Sequence, residues 1–155
     1  MIDYQRLFHT GFIVRDLREA MDRYGAALGV TWAQPRVLEP LGLWRPSHGY
    51  QELRLEYVYS REGPQHVELL KGSPGSYYDP ETQTGFHVGL WADEVGAETA
   101  DLAAKGWTVL ASGASPEDGY GAFSYLQPPS GGMVVELVTS AALPGFEAWW
   151  AGEVT

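Results

Sequence analysis

Phe8-His9-Thr10-Gly11-Phe12 returns later in the chain as Phe86-His87-Val88-Gly89-Leu90. Both stretches read Phe-His-x-Gly-apolar, and both open a short strand-like run. The correspondence continues downstream, where Asp16-Leu17 matches Glu94-Val95, each acidic residue standing where a helix would start. The first helix is expected from about Leu17 to Leu28, with Leu17, Ala20, Met21, Tyr24 and Leu28 as its apolar stripe and Gly29 as its stop. The second is expected from about Val95 to Lys105, with Gly106 behind it. Strands should follow at Val30-Thr31-Trp32, Gln51 to Ser60 and His66 to Leu70, and again at Trp107 to Leu110, Ala122 to Gln127 and Met133 to Val138. The last strands match once more, Val67-Glu68-Leu69-Leu70 against Val135-Glu136-Leu137-Val138, with a shortened loop in the second half. Such a deletion is cheap, because loop closure depends only weakly on length.

Each half therefore reads strand, helix, strand, strand, strand, and the fold class is α+β. The expected boundaries are a first module over about 5–71, a linker over 72–84, a second module over about 85–140 and a tail over 141–155. The linker is assigned from its Gly, Pro and Ser content (GSPGSYYDPETQT), and residues 111–121 (ASGASPEDGYG) read as a mobile loop. The tail from Leu143 to Ala151 reads as a short helix carrying Phe146, Trp149 and Trp150, with no functional weight.

The 155 residues carry a net charge of -10, so phosphate backbones and anionic lipid are excluded as main partners. Hydrophobic residues make up 45%, enough to build a core. The absence of cysteine removes thiolate catalysis, disulfides and cysteine zinc sites, and fits a cytoplasmic protein. No secretion signal or membrane-length apolar run is visible. Six Trp and nine Tyr offer material for a pocket that takes a flat or apolar small molecule.

Two His and two Glu occupy matching places in the halves. A carboxylate flanked by Val and Leu is costly if buried and unpaired. Taken singly, Glu68 and Glu136 read as solvent-facing residues of half-exposed strands, and His9 and His87 as structural histidines. Taken as a repeated pair they read differently. If the modules lie side by side about a pseudo-twofold axis, the four side chains can converge, and their nitrogen and oxygen donors suit one divalent ion: Zn, Ni, Co, Mn or Fe.

The chain resembles the vicinal-oxygen-chelate superfamily, which includes glyoxalase I, methylmalonyl-CoA epimerase, extradiol dioxygenases, and fosfomycin and bleomycin resistance proteins. The resemblance covers nearly all of residues 6–140 and is carried by FHTGFIVRDLREAM (8–21), HVELL (66–70), GFHVGLWADEV (85–95) and PPSGGMVVELV (128–138). It implies paired βαβββ modules whose eight strands form an incomplete barrel with the metal inside. The family's ligand positions fall on His9, Glu68, His87 and Glu136, a full set most similar to the glyoxalase I and epimerase branch. The implied activity is that of a divalent-metal-dependent isomerase, epimerase or lyase working through a metal-stabilised enolate on a small carbonyl substrate. Glu136 or Glu68 would be the base, and the resemblance favours Glu136. A non-catalytic antibiotic-binding protein and an Fe(II) dioxygenase are the family's alternatives. Two positions depart from epimerases: Val88 stands where a second His is common, and Glu68 where some carry Gln.

The strand aromatics Tyr57, Tyr59, Trp91, Phe123 and Tyr125 are expected to line the substrate cavity. His66, two residues before Glu68, is either a second acid or base or a solvated strand His, and Glu56 and His48 read as exposed. Arg15 and Arg36 could meet an acidic substrate, but the few basic residues form no patch suited to a CoA or glutathione tail. A homodimer is expected, since module edges need covering.

Overall fold

The two Phe-His-x-Gly runs become neighbouring strands at the middle of a computed structural model that describes residues 1–83 and 86–152. The first half contributes β1 (Leu7–Ile13), α1 (Leu17–Leu28), β2 (Arg36–Arg45), β3 (Gly49–Tyr59) and β4 (His66–Gly72). The second contributes β5 (Phe86–Ala92), α2 (Val95–Ala104), β6 (Thr108–Ser112), β7 (Phe123–Gln127) and β8 (Val134–Thr139), and α3 (Leu143–Trp150) follows. The expected module boundary at 84–85 and the last residues of the tail, 153–155, lie outside the described residues.

The strands form a barrel in the order β1-β4-β3-β2-β6-β7-β8-β5. Within each half the first and last strands are parallel, β1 with β4 and β5 with β8. The halves meet along antiparallel β1 and β5, and at a second seam where β2 and β6 share the single pair Trp44–Ser112. The barrel is therefore continuous on the β1–β5 side and barely joined on the other.

Alternation along the last strands sorts inside from outside. Leu69 packs with Val58 against Leu17 and Ala20 of α1, while Leu70 joins Leu43, Leu53, Leu55 and Tyr125 inside. Leu137 likewise packs with Leu102 of α2. Asp16 caps α1 by accepting a hydrogen bond from the Glu19 amide at 2.8 Å, and Gly29 ends the helix in the left-handed region (φ 69°), which glycine reaches without strain. Leu28, assigned to the apolar stripe, is exposed.

Three expectations need correction. Val30-Thr31-Trp32 is not a strand: Trp32 makes one isolated bridge to Ser60, and its indole donates to the Met21 carbonyl at 2.8 Å. The strand after α1 is β2, a run that includes Pro40 and Gly42; Pro40 falls where the β2–β3 register shifts, so its missing amide breaks no regular ladder. Segment 72–84 is more than a linker, for Tyr77 and Tyr78 are buried in the core with Tyr125. Residues 111–121 begin inside β6, with Ala111 and Ser112 fully buried.

Candidate metal centre

The register of β1 on β5 explains the repeated motif. His9 stands opposite Gly89, and His87 opposite Gly11. Each glycine also neighbours a carboxylate, Gly11 beside Glu68 on β4 and Gly89 beside Glu136 on β8. A Cβ added at Gly89 would collide with the His9 ring, and one added at Gly11 with the His87 ring and Glu68. Each half thus leaves a notch into which the other half's imidazole fits.

The consequence is one cluster. His9 Nε2 lies 3.0 Å from His87 Nε2, 3.2 Å from Glu68 Oε2 and 3.0 Å from Glu136 Oε2. His87 Nε2 lies 3.2 Å from each of the same carboxylate oxygens. All four residues are buried, His9 completely, and each offers a ligand atom within 4.8 Å of the others. One chain supplies all four. The His9 ring is held edge-on by Phe8, Tyr59 and His87, with centroids 4.4, 5.3 and 5.1 Å away.

Burying two carboxylates costs several kcal/mol per ion, so positive charge must compensate them. Without a metal the imidazoles do so. Burial opposes their protonation, but Glu136 and Glu68 overcome it, raising His9 above its ordinary value and pushing His87 up to about 9. The same contacts hold Glu68 and Glu136 below the usual carboxylate range despite burial.

The cluster could hold a metal ion. A divalent ion with bonds of about 2.1 Å at right angles sets neighbouring donors about 3.0 Å apart, close to the separations found. Glu136 Oε2, although near both imidazoles, is buried without a well-aligned hydrogen bond. The two facing Nε2 atoms need a proton or a cation between them. Convergent donors with an unsatisfied buried oxygen fit a metal better than a closed hydrogen-bond network.

Tyr59 and Tyr125 occupy corresponding places, each cross-strand partner to its half's glutamate. Their surroundings differ. Burial, the charges of Glu68 and Glu136 and a hydrogen bond to Glu68 push the Tyr59 hydroxyl well above its usual pKa. The Tyr125 hydroxyl accepts a hydrogen bond from Tyr78 at 2.9 Å.

Glu68 and Glu136 open into a cavity of about 190 Å³. Tyr57, Tyr59, Phe123 and Tyr125 line it, as do Leu38, Leu41, Leu55, Leu70, Tyr78 and Phe146, which sequence reasoning did not select. Their signals were weak. Tyr78 sits in a Gly/Pro/Ser-rich segment, Leu38 and Leu41 flank a proline, and Phe146 belongs to the discounted tail. Phe146 reaches the cavity because Trp149 anchors α3, its indole donating to the Gln34 carbonyl at 2.8 Å.

Trp91 is absent from that lining. At the register shift between Leu7 and His9, Phe8 is the extra residue of β1, and it stacks on Trp91 with centroids 3.7 Å apart. Trp91 is thereby packed in the aromatic cluster beneath α3. His66 is neither solvated nor in the cluster of donors: its Nδ1 lies 2.7 Å from the Ser60 carbonyl, and its ring stacks on Trp150 at 3.7 Å. Glu56 pairs with Arg54, exposed His48 lies near Ser47 Oγ, and Arg15 pairs with Glu81 at 2.9 Å. Arg36 lies over the Trp149 ring at 4.0 Å.

Among solved structures, the fold is similar to a variant of methylmalonyl-CoA epimerase from Streptomyces coelicolor in complex with 2-nitronate-propionyl-CoA. The TM-score is 0.57 at 24% identity, over 88% of this chain and 95% of that one. The methylmalonyl-CoA epimerase from Mycobacterium tuberculosis gives 0.58 at 16% identity, over 94% and 97%. A mutant 4-hydroxymandelate synthase from Streptomyces coelicolor gives 0.56 at 14% identity, over 86% of this chain and 48% of that one. At these identities the likeness is one of fold. A search of curated proteins finds no significant match. The sequence profile of the Glyoxalase/Bleomycin resistance protein/Dioxygenase superfamily matches residues 8–125. With that match spanning most of its length and a duplicated barrel to go with it, the chain belongs to the glyoxalase/bleomycin resistance protein/dioxygenase superfamily.

Proposed function

We propose that this protein is a divalent-metal-dependent isomerase, epimerase or lyase that works through an enolate on a small carbonyl substrate. His9, Glu68, His87 and Glu136 would hold one Zn, Ni, Co, Mn or Fe(II) ion, a choice the mixed nitrogen and oxygen donors leave open. When bound, the ion supplies Lewis acidity to a carbonyl oxygen and offsets the charge of the enolate. The observation that carries the reading is that four donors converge, each imidazole nitrogen 3.0–3.2 Å from the other and from both carboxylates, beside a largely apolar cavity that both carboxylates line.

The carboxylates have different tasks. Glu68 is steadied by Tyr59 and serves as the fixed donor. Glu136 keeps an oxygen without a well-aligned hydrogen bond and is the base that takes the proton from the carbon beside the carbonyl. The expected homodimer is not needed to complete the site, because one chain supplies every donor. A cytoplasmic location fits the absence of cysteine, and no helix among the described residues is long and apolar enough to cross a membrane.

The test is proton exchange in D₂O, followed by proton NMR on a panel of diketones, hydroxyketones and acyl-CoAs. Loss of the signal from the hydrogen beside the carbonyl, stopped by a chelator and restored by a divalent metal, is expected. Stoichiometric metal with no exchange in any member of the panel would reject the enolate reading.

A further inference from the structure

We infer that the outer face of the four central strands is the contact surface between two copies of this chain. Strands β4, β1, β5 and β8 lie side by side, and alternation sends one set of their side chains outward. One outward row crosses all four strands as Val67, Thr10, Val88 and Val135, partners in register. In the next row Phe12 stands opposite Phe86, with ring centroids 6.1 Å apart, and lies 5.2 Å from the Tyr24 ring of α1. None of these side chains carries a charge. To either side, α1 packs on Leu69 and α2 on Leu137. Between the helices the row is half-buried except at Val88, and Phe86 is 51% exposed.

The same face carries a recess. Val88 and Val135 run into an apolar groove of about 300 Å³, whose walls include Met1, Ile2, Tyr4, Trp107 and Met133. Tyr4 is 70% exposed, Met133 38%, and Met1 fully. With about 200 Å² to an aromatic side chain, Tyr4 and Phe86 alone present about 240 Å² to solvent. An interface of standard size takes about 800 Å² from each partner, about 450 Å² of it apolar. Two rings therefore supply about half of the apolar share, and Met1, Met133 and the half-buried row add to it. Aromatic residues and methionine without charge are also the composition of an interface centre.

Shape and charge point to a second copy as the occupant. A two-fold contact buries one patch against itself, so the patch must hold both a projection and a recess. This face has both, the Phe86 ring and the groove beside it. Charge works in the same direction. Two chains of net charge -10 repel each other over most of their surfaces. Here the charged residues of the groove are Asp101 and Lys105, paired at 2.6 Å, and the Met1 ammonium lies 4.0 Å from Asp101. The negative excess lies elsewhere, so two copies can meet on this face without setting like charges together.

The test is sedimentation velocity of the full chain over a concentration series at low and high salt. A monomer–dimer equilibrium is expected, and it should tighten as salt screens the net charge. Phe86→Lys and Met133→Lys should each weaken the dimer by at least about tenfold, with the circular dichroism spectrum unchanged. Tyr4→Lys should do the same; it lies in the short turn before β1, outside the core, and serves where a strand variant fails to fold. Tyr50→Lys, which removes an equally exposed ring from β3, should leave the dimer as it was. A monomer at every concentration, or a dimer that survives all three lysines on this face, overturns the inference. So does a dimer that only Tyr50→Lys breaks.

Discussion

The two halves of the barrel place the same four residue types at the same register, yet surround them differently. His9, Gly11, Tyr59 and Glu68 in the first half correspond to His87, Gly89, Tyr125 and Glu136 in the second. In the first, the tyrosine is hydrogen-bonded to the glutamate. In the second, the tyrosine is turned to Tyr78, from the segment between the halves. The motif's phenylalanines diverge too: Phe8 is buried on Trp91, whereas Phe86 is half exposed. Duplication builds a symmetric set of donors, and the tyrosine beside each glutamate is engaged differently in the two halves.

The largest effect should come from testing the two glutamates against each other. Glu136→Gln should slow exchange of the substrate hydrogen by roughly 10²–10⁴-fold while metal stays bound, the range expected for loss of a general base. Glu68→Gln should lower metal affinity more than it lowers the rate of the metal-saturated protein. Equal rate losses in both variants, measured by deuterium exchange at saturating metal, would erase the distinction between the halves.

Next come the glycines, whose notches are predicted to be equivalent. Gly11→Ala and Gly89→Ala should each weaken metal binding by about 10–100-fold, because the added methyl pushes the opposite imidazole off its position. Each should also cost about 1–3 kcal/mol of stability, as overpacking does. Metal titration with a colorimetric competitor measures the first and chemical denaturation the second. Unchanged metal affinity in both would show that the imidazoles do not need the notch.

The glycine notch also marks what was legible in the chain. The Phe-His-x-Gly repeat and the glutamates inside apolar runs announced the duplication, because residues fixed by barrel register must recur at fixed places. The partner of each histidine was written as the glycine two residues after the other histidine, but its purpose required knowing that β1 and β5 pair. β2 was not legible, since Pro40 and Gly42 interrupt its pattern and its fit depends on a register shift against β3. Tyr78 and Phe146 were hidden because long-range packing, not local periodicity, brings them to the cavity. Trp91 was placed on the wrong side of the site because an extra residue at Phe8 redirects the aromatic stack.

A smaller effect is expected from the tyrosines. Tyr59→Phe should loosen Glu68 and lower metal affinity by up to about tenfold, the modest end of losses from support groups of metal ligands. Tyr125→Phe should leave metal affinity within about threefold and act on ligand binding and stability, because it takes the hydrogen-bond partner from buried Tyr78. Reversal of the two, read by metal titration of each variant, would mean that Tyr125 rather than Tyr59 supports the centre.

The central claim, that both halves contribute donors to one ion, is met most directly by elemental analysis of the purified, metal-reconstituted protein beside His9→Ala and His87→Ala. One divalent ion per chain in the unmodified protein, falling to a small fraction of that in both folded variants, is predicted. Substoichiometric metal that is the same in all three would contradict it.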